Sequence, residues 1–154
     1  MKKVIPGVKA LTGVVASAIL VFSVSNAHAR DDIRSYSIAD ALSSEKAKAI
    51  LGDNIKFYFG DTVPEQAIKR NIAEYRHNRK TNASNKSDTE ACQWVFLSAL
   101  KDLRDSAVQN GANAVINIKS NYRNNLTTSN DTFQCGAGAL VAGVALVGDV
   151  AILE

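Results

Sequence analysis

Two cysteines, Cys92 and Cys135, are the strongest constraint on how this chain can fold, because nothing else in it offers a fixed long-range crosslink. Each lies in a segment with a clear local reading. Ser87-Asp-Thr-Glu90 has the pattern of a capping box, a side-chain acceptor at the helix start with a carboxylate three residues on. An amphipathic helix follows to about Asn110, with Cys92, Phe96, Ala99, Leu103 and Ala107 recurring every three or four residues. Val95 and Leu100 widen this stripe, Lys101, Asp102 and Asp105 lie on the other side, and Gly111 is the stop. Cys92 therefore sits on the buried face. Cys135 ends a strand over Thr132 to Cys135 and shares a face with Phe133. A bond between them staples the helix across a sheet.

The redox compartment supports that bond. The first 29 residues have the three parts of a secretory signal: Lys2, Lys3 and Lys9, an apolar run from Ala10 to Val24, and the cleavage pattern Ala27-His28-Ala29. The mature chain is expected to begin at Arg30 and to be periplasmic or secreted, without a lipoprotein anchor because no cysteine follows the signal. Two cysteines without a CxxC pattern, in an oxidising compartment, read as a structural disulfide. The chain-entropy model assigns such a crosslink about 4 kcal/mol. Removing the three signal lysines leaves 15 basic residues against 15 acidic ones, so charge gives no reason to expect nucleic acid or an anionic membrane as partner. What remains is enough for one domain with one core.

The other elements follow from local chemistry. Arg30 to Tyr36 lacks periodicity and reads as a frayed terminus. Ser37 to Leu51 suits one or two short helices, with Ser44 a cap and Gly52 a stop. Ile55 to Phe59 alternates as a strand does. Glu65 to Lys80 fits either a helix, through Ile68, Ile72 and Tyr75, or a strand, and spacing does not separate them. Lys80 to Ser87 is a polar loop. Ala114 to Lys119 is a strand with Ala114, Ile116 and Ile118 on one face, followed by a polar connection from Ser120 to Asn130. Gly136-Ala-Gly138 permits a bulge or a close backbone approach. Leu140 to Leu153 is one long bent strand or two short ones; it is too short to span a bilayer comfortably, and Asp149 would be costly in lipid.

No catalytic or metal constellation stands out. His77 is the one histidine of the mature chain and has no second ligand at metal spacing, so it reads as a lone exposed side chain. The glycines from Gly136 to Gly148 lack the lysine and the following helix of a phosphate loop, and serve sheet curvature instead. Trp94 lies about 200° around the helix from Cys92. It is either an interaction anchor or the filling of a second face under the N-terminal helices. Together with the loop residues Lys80, Asn82 and Asn85, His77 and Trp94 make up the candidate interaction surface.

The stretches Lys80-Thr-Asn-Ala-Ser-Asn-Lys-Ser-Asp-Thr-Glu-Ala-Cys-Gln-Trp94, Phe96-Leu-Ser-Ala99, Asn113-Ala-Val-Ile-Asn-Ile-Lys-Ser120 and Cys135-Gly-Ala-Gly138 resemble the small exported bacterial proteins often labelled "excinuclease ATPase subunit". The chain contradicts that label, having no phosphate loop, no zinc cysteines and no basic excess. More distantly it is similar to the Rcs envelope-stress sensor lipoprotein and to heavy-metal-binding-type domains. The sensor has four cysteines and a lipid anchor, whereas this chain has two and no lipobox. That similarity implies a strand over Ala67 to Asn78 and an α+β domain with one main helix on a mostly antiparallel sheet. The resulting expectation is a non-enzymatic envelope protein, stress related, that binds another envelope protein or a small ligand without a cofactor. The alternative is a small periplasmic enzyme or a ligand or metal carrier using His77.

Overall fold

The computed structural model describes residues 30–154, and the signal read over 1–29 lies outside them. The fold is α+β, one long helix on a curled seven-stranded sheet. In chain order the elements are β1 (Asp31–Ser37), α1 (Ile38–Leu42), α2 (Glu45–Leu51), β2 (Lys56–Phe59), β3 (Ile68–Asn82), α3 (Asp88–Gln109), β4 (Ala114–Tyr122), β5 (Asn125–Thr127), β6 (Thr132–Gly138) and β7 (Val141–Leu153). Each helix opens on a serine whose hydroxyl accepts an otherwise orphaned N–H: Ser37 from Asp40, Ser44 from Ala47 and Ser87 from Glu90. Gly52 and Gly111 end α2 and α3 at positive φ, where a Cβ would be strained.

The centre of the sheet is β7. Along one edge it pairs antiparallel with β3 from Leu153↔Ile68 to Val141↔Asn82. Its other edge is divided, β6 meeting it at Ala142 and Gly143 and β4 from Leu146 to Ala151. Only β2, on β4, is parallel. The ambiguous segment is thus a strand, and it is longer than expected. Tertiary pairing with the apolar β7 overrides the helical propensity of its glutamine, glutamate and alanine residues.

Three readings need correction. Arg30 to Tyr36 is not frayed, since β1 pairs residue for residue with β6 from Asp31↔Gly138 to Ser37↔Thr132. Its polar sequence suits an edge strand with a half-exposed face. The connection from Ser120 to Asn130 is in part sheet: β4 continues to Tyr122 and returns as β5 through a turn with Arg123 and Asn124 at positive φ. The faces of β4 also invert midway. Asn117 at φ 53° makes a bulge between Ile116↔Asp149 and Lys119↔Val147, so Val115 and Ile118 join the main core. Ala114 and Ile116 instead form a small second cluster with Ala151 and Leu153.

The main core lies between α3 and the sheet. Phe96 and Phe133 stack at 4.0 Å between ring centroids, with Phe59 and Tyr36 beside them. Burying each phenylalanine side chain contributes about 1.5–3 kcal/mol. Cys92 and Cys135, both fully buried, are bonded, with a Cα–Cα distance of 5.9 Å. The bond joins the first turns of α3 to the middle of β6, as the helical stripe required. The same alternation that turns Cys135 and Ala137 toward α3 turns Gly136 and Gly138 to the opposite face.

Candidate binding site

The five residues of the expected surface fall in four places. Trp94 projects from α3 toward α2, where the Lys46 ammonium lies 5.0 Å from its ring centre, yet the residue stays 39% exposed. It is partly covered by the N-terminal helices and partly open beside Gln93, Leu97 and Glu90. Asn85 is a turn residue at φ 62°. The Asn82 side chain accepts the Ser84 N–H at 2.7 Å, and its carbonyl accepts from the Lys86 ammonium, so the loop's asparagines serve turn geometry first. Lys80 borders a trough on the face of the sheet away from α3.

His77 corrects a further expectation, because it is half-buried against α3 rather than a lone exposed side chain. Its Nε2 is 3.0 Å from the Ser106 Oγ, and its Nδ1 is 4.0 Å from an Asp102 carboxylate oxygen. Serine, histidine and aspartate are the residue types of a hydrolase triad, but the geometry does not serve that chemistry. The Ser106 hydroxyl donates to the Asp102 carbonyl at 3.0 Å, one turn back in α3, so the histidine nitrogen donates to it instead of activating it. Asp102 is engaged by the Arg79 guanidinium, with Nη2 to Oδ1 at 2.8 Å, and 4.0 Å is too long for the orienting bond to Nδ1. Ser106 is buried in the last turn of α3, where backbone N–H groups are committed to helical bonds and the free groups are carbonyls, so none is left to hold an oxyanion. Tyr75 extends the line, accepting a bond from the Asn110 side chain at 2.9 Å. These contacts clamp β3 onto α3.

The trough has a different character. Lys80, Gly143, Gly136 and Ile33 stand directly opposite one another across β3, β7, β6 and β1, forming one row on the outer face. Two adjacent glycines leave the middle of that row without side chains. Tyr122 fills part of the gap. A Cβ built on Gly136 would come within 2.7 Å of the Tyr122 ring edge, and one on Gly143 within 3.3 Å of the same ring and 3.7 Å of the Lys80 stem. No bulge forms here, because β1 and β6 keep register through Gly138. They let an aromatic ring lie on the backbone, with Gly138 admitting the Arg30 carbonyl in the same way.

The resulting hollow is about 480 Å³, lined further by Asn78, Arg123, Leu140 and Val141. Arg123, whose guanidinium carbon is 5.7 Å from the Tyr122 ring centre, pairs with Asp31. Arg30 pairs with Asp88 at 2.6 Å. Among the described residues Lys80 has no carboxylate within 4.0 Å. Lys80 is the one residue of this hollow among those expected from the sequence; Tyr122 and Arg123 fall in a stretch whose polar residues read as a connecting loop. The paired small residues at Gly136 and Gly143 were the available signal, though nothing local names the ring that covers them.

Among the described residues no group of three or more histidine, cysteine, aspartate or glutamate side chains is placed to hold a metal ion, and no helix is long and apolar enough to cross a membrane. Comparison of the chain with family models, curated proteins and solved structures returns no match.

Proposed function

We propose that this is a non-enzymatic binding protein of the bacterial envelope, exported through the signal over residues 1–29, whose working surface is the glycine-floored trough opposite α3. The observation that carries the reading is the row Lys80, Gly143, Gly136 and Ile33, a concavity floored by two unsubstituted backbones with a tyrosine wall and a lysine at its end. Paired glycines weaken a strand, and here that loss coincides with a hollow of ligand size. Its lining sets the cations Lys80 and Arg123 beside an aromatic ring and apolar lip residues, the make-up of a surface that holds a ligand. The buried disulfide suits a protein working in an oxidising compartment.

The test places a photo-crosslinking amino acid at Leu140, on the lip of the trough, and for comparison at Val108 on the far side of α3. Illumination of exporting cells is expected to give an adduct from the Leu140 position that is absent from the Val108 position and lost when Lys80→Glu is added. Identical products from both positions, or none from either, would refute the reading.

A further inference from the structure

We infer that the trough takes a single-chain anionic amphiphile, a carboxylate head with an acyl tail, one molecule per protein. The inference rests on the binding reading above and names the ligand's chemistry. The Tyr122 ring and the Lys80 stem give the hollow apolar walls over glycine backbone, with Asn78, Arg30 and Asp31 completing its polar border. Its lip continues as exposed apolar surface, with Leu140 69% and Val141 49% exposed, and Ile33 at the far end of the glycine row 44% exposed. Large apolar side chains left open around a concavity are the surface that an alkyl chain covers best.

Cationic groups border this surface at two points. Lys80 extends its ammonium from the end of the row, unpaired among the described residues, and Arg123 stands over Tyr122 with one carboxylate partner, Asp31. A guanidinium carries five donors, so Arg123 keeps N–H groups for a second anion. A ligand carboxylate here gains charge-assisted hydrogen bonds while its tail lies over Leu140 and Val141. A small inorganic anion satisfies the cations but leaves those side chains in water, and a cationic amphiphile meets Lys80 and Arg123 head on. The hollow is concave and within the usual range of about 300–1,000 Å³ for small-molecule sites, which fits one chain rather than a bilayer surface.

The experiment is an NMR titration of the ¹⁵N-labelled exported protein with decanoate below its micelle concentration, alongside decyltrimethylammonium, inorganic phosphate and anionic phospholipid vesicles. Decanoate is expected to bind saturably at one to one, moving the amides of Gly136, Gly143 and Tyr122, with the cationic amphiphile and phosphate at least about tenfold weaker. Lys80→Gln, on an exposed side chain with no partner to lose, is expected to weaken decanoate by about tenfold, the scale of one charge-assisted bond. The inference is overturned by no saturable decanoate binding, by equal affinity for the cationic amphiphile, by an unchanged affinity of the lysine variant, or by binding to vesicles alone. If decanoate is silent while the Leu140 adduct forms, the ligand class is wrong and the trough remains a binding site. If both are silent, the binding reading falls with it.

Discussion

Replacing Gly136 by alanine tests whether Tyr122 is seated on the sheet as described. The residue is not at positive φ, so alanine meets no backbone strain there. Its Cβ would lie 2.7 Å from the Tyr122 Cε1 and closer still to Cζ and Oη, against an ordinary carbon contact of about 3.5–4.0 Å. The ring must therefore withdraw by about 1 Å or more, a disturbance of the overpacking kind that costs about 1–3 kcal/mol. Alanine returns about 0.5–1 kcal/mol because glycine loses more freedom on folding. The net expectation is a destabilisation of about 1 kcal/mol. With Tyr122→Ala already present the ring is gone, and Gly136→Ala should become stabilising by about 0.5 kcal/mol. The coupling of about 1.5 kcal/mol lies within the range for residues in contact. Urea unfolding followed through the single tryptophan measures all four proteins, with unchanged slopes as the check that only stability moved. An alanine at Gly136 that destabilises equally with and without Tyr122 would refute the seating of the ring.

Removing the disulfide as the double variant Cys92→Ala with Cys135→Ala should cost about 4 kcal/mol, read from the urea midpoint, since the bond closes a loop with a sequence separation of 43. Tyr36→Phe should be neutral or stabilising by up to about 1 kcal/mol, because the Tyr36 hydroxyl is buried without a hydrogen-bond partner and burial pushes its phenol pKa up. The Lys101 and Arg104 side chains hold the Asp105 carboxyl below its ordinary value of 3.8. Its contribution is therefore present above about pH 4 and is lost as pH falls through the lowered value, so Asp105→Asn should cost under about 1 kcal/mol at pH 7 and progressively less as the pH falls below about 4. A fluorophosphonate probe should leave Ser106 unlabelled in the folded protein, and labelling seen by mass spectrometry would reopen the hydrolase reading of His77 and Asp102.

The elements legible in the sequence are those whose cause is local. Ser44 and Ser87 as caps, Gly52 and Gly111 as stops, and the stripe carrying Cys92 need only neighbouring residues to be recognised, and each stands where expected. Cys135 could be paired because only one partner existed. What was not legible depends on residues far along the chain. β1 is polar and becomes a strand because β6 offers it an edge. The face inversion in β4 turns on the backbone of one asparagine, Asn117, whose side chain donates to Asp149 on β7 at 2.8 Å. His77 seemed solitary because Ser106 and Asp102 reach it across packed elements. The trough was hidden for the same reason, being assembled from five separate segments.

β7 is the last element in chain order, yet it is the strand on which β3, β4 and β6 all pair. Until Val141–Leu153 has been made, β1 with β6, and β2 and β5 with β4, can pair only as separate pieces, and α3 lacks much of the floor on which it buries its stripe. The pairings of β7 with β3 and β4 are non-local, and such pairing is slow. The full sheet therefore closes only once β7 is available. Under the export proposed above, such a keystone strand keeps β3, β4 and β6 unjoined while the chain before it is threaded through a narrow channel.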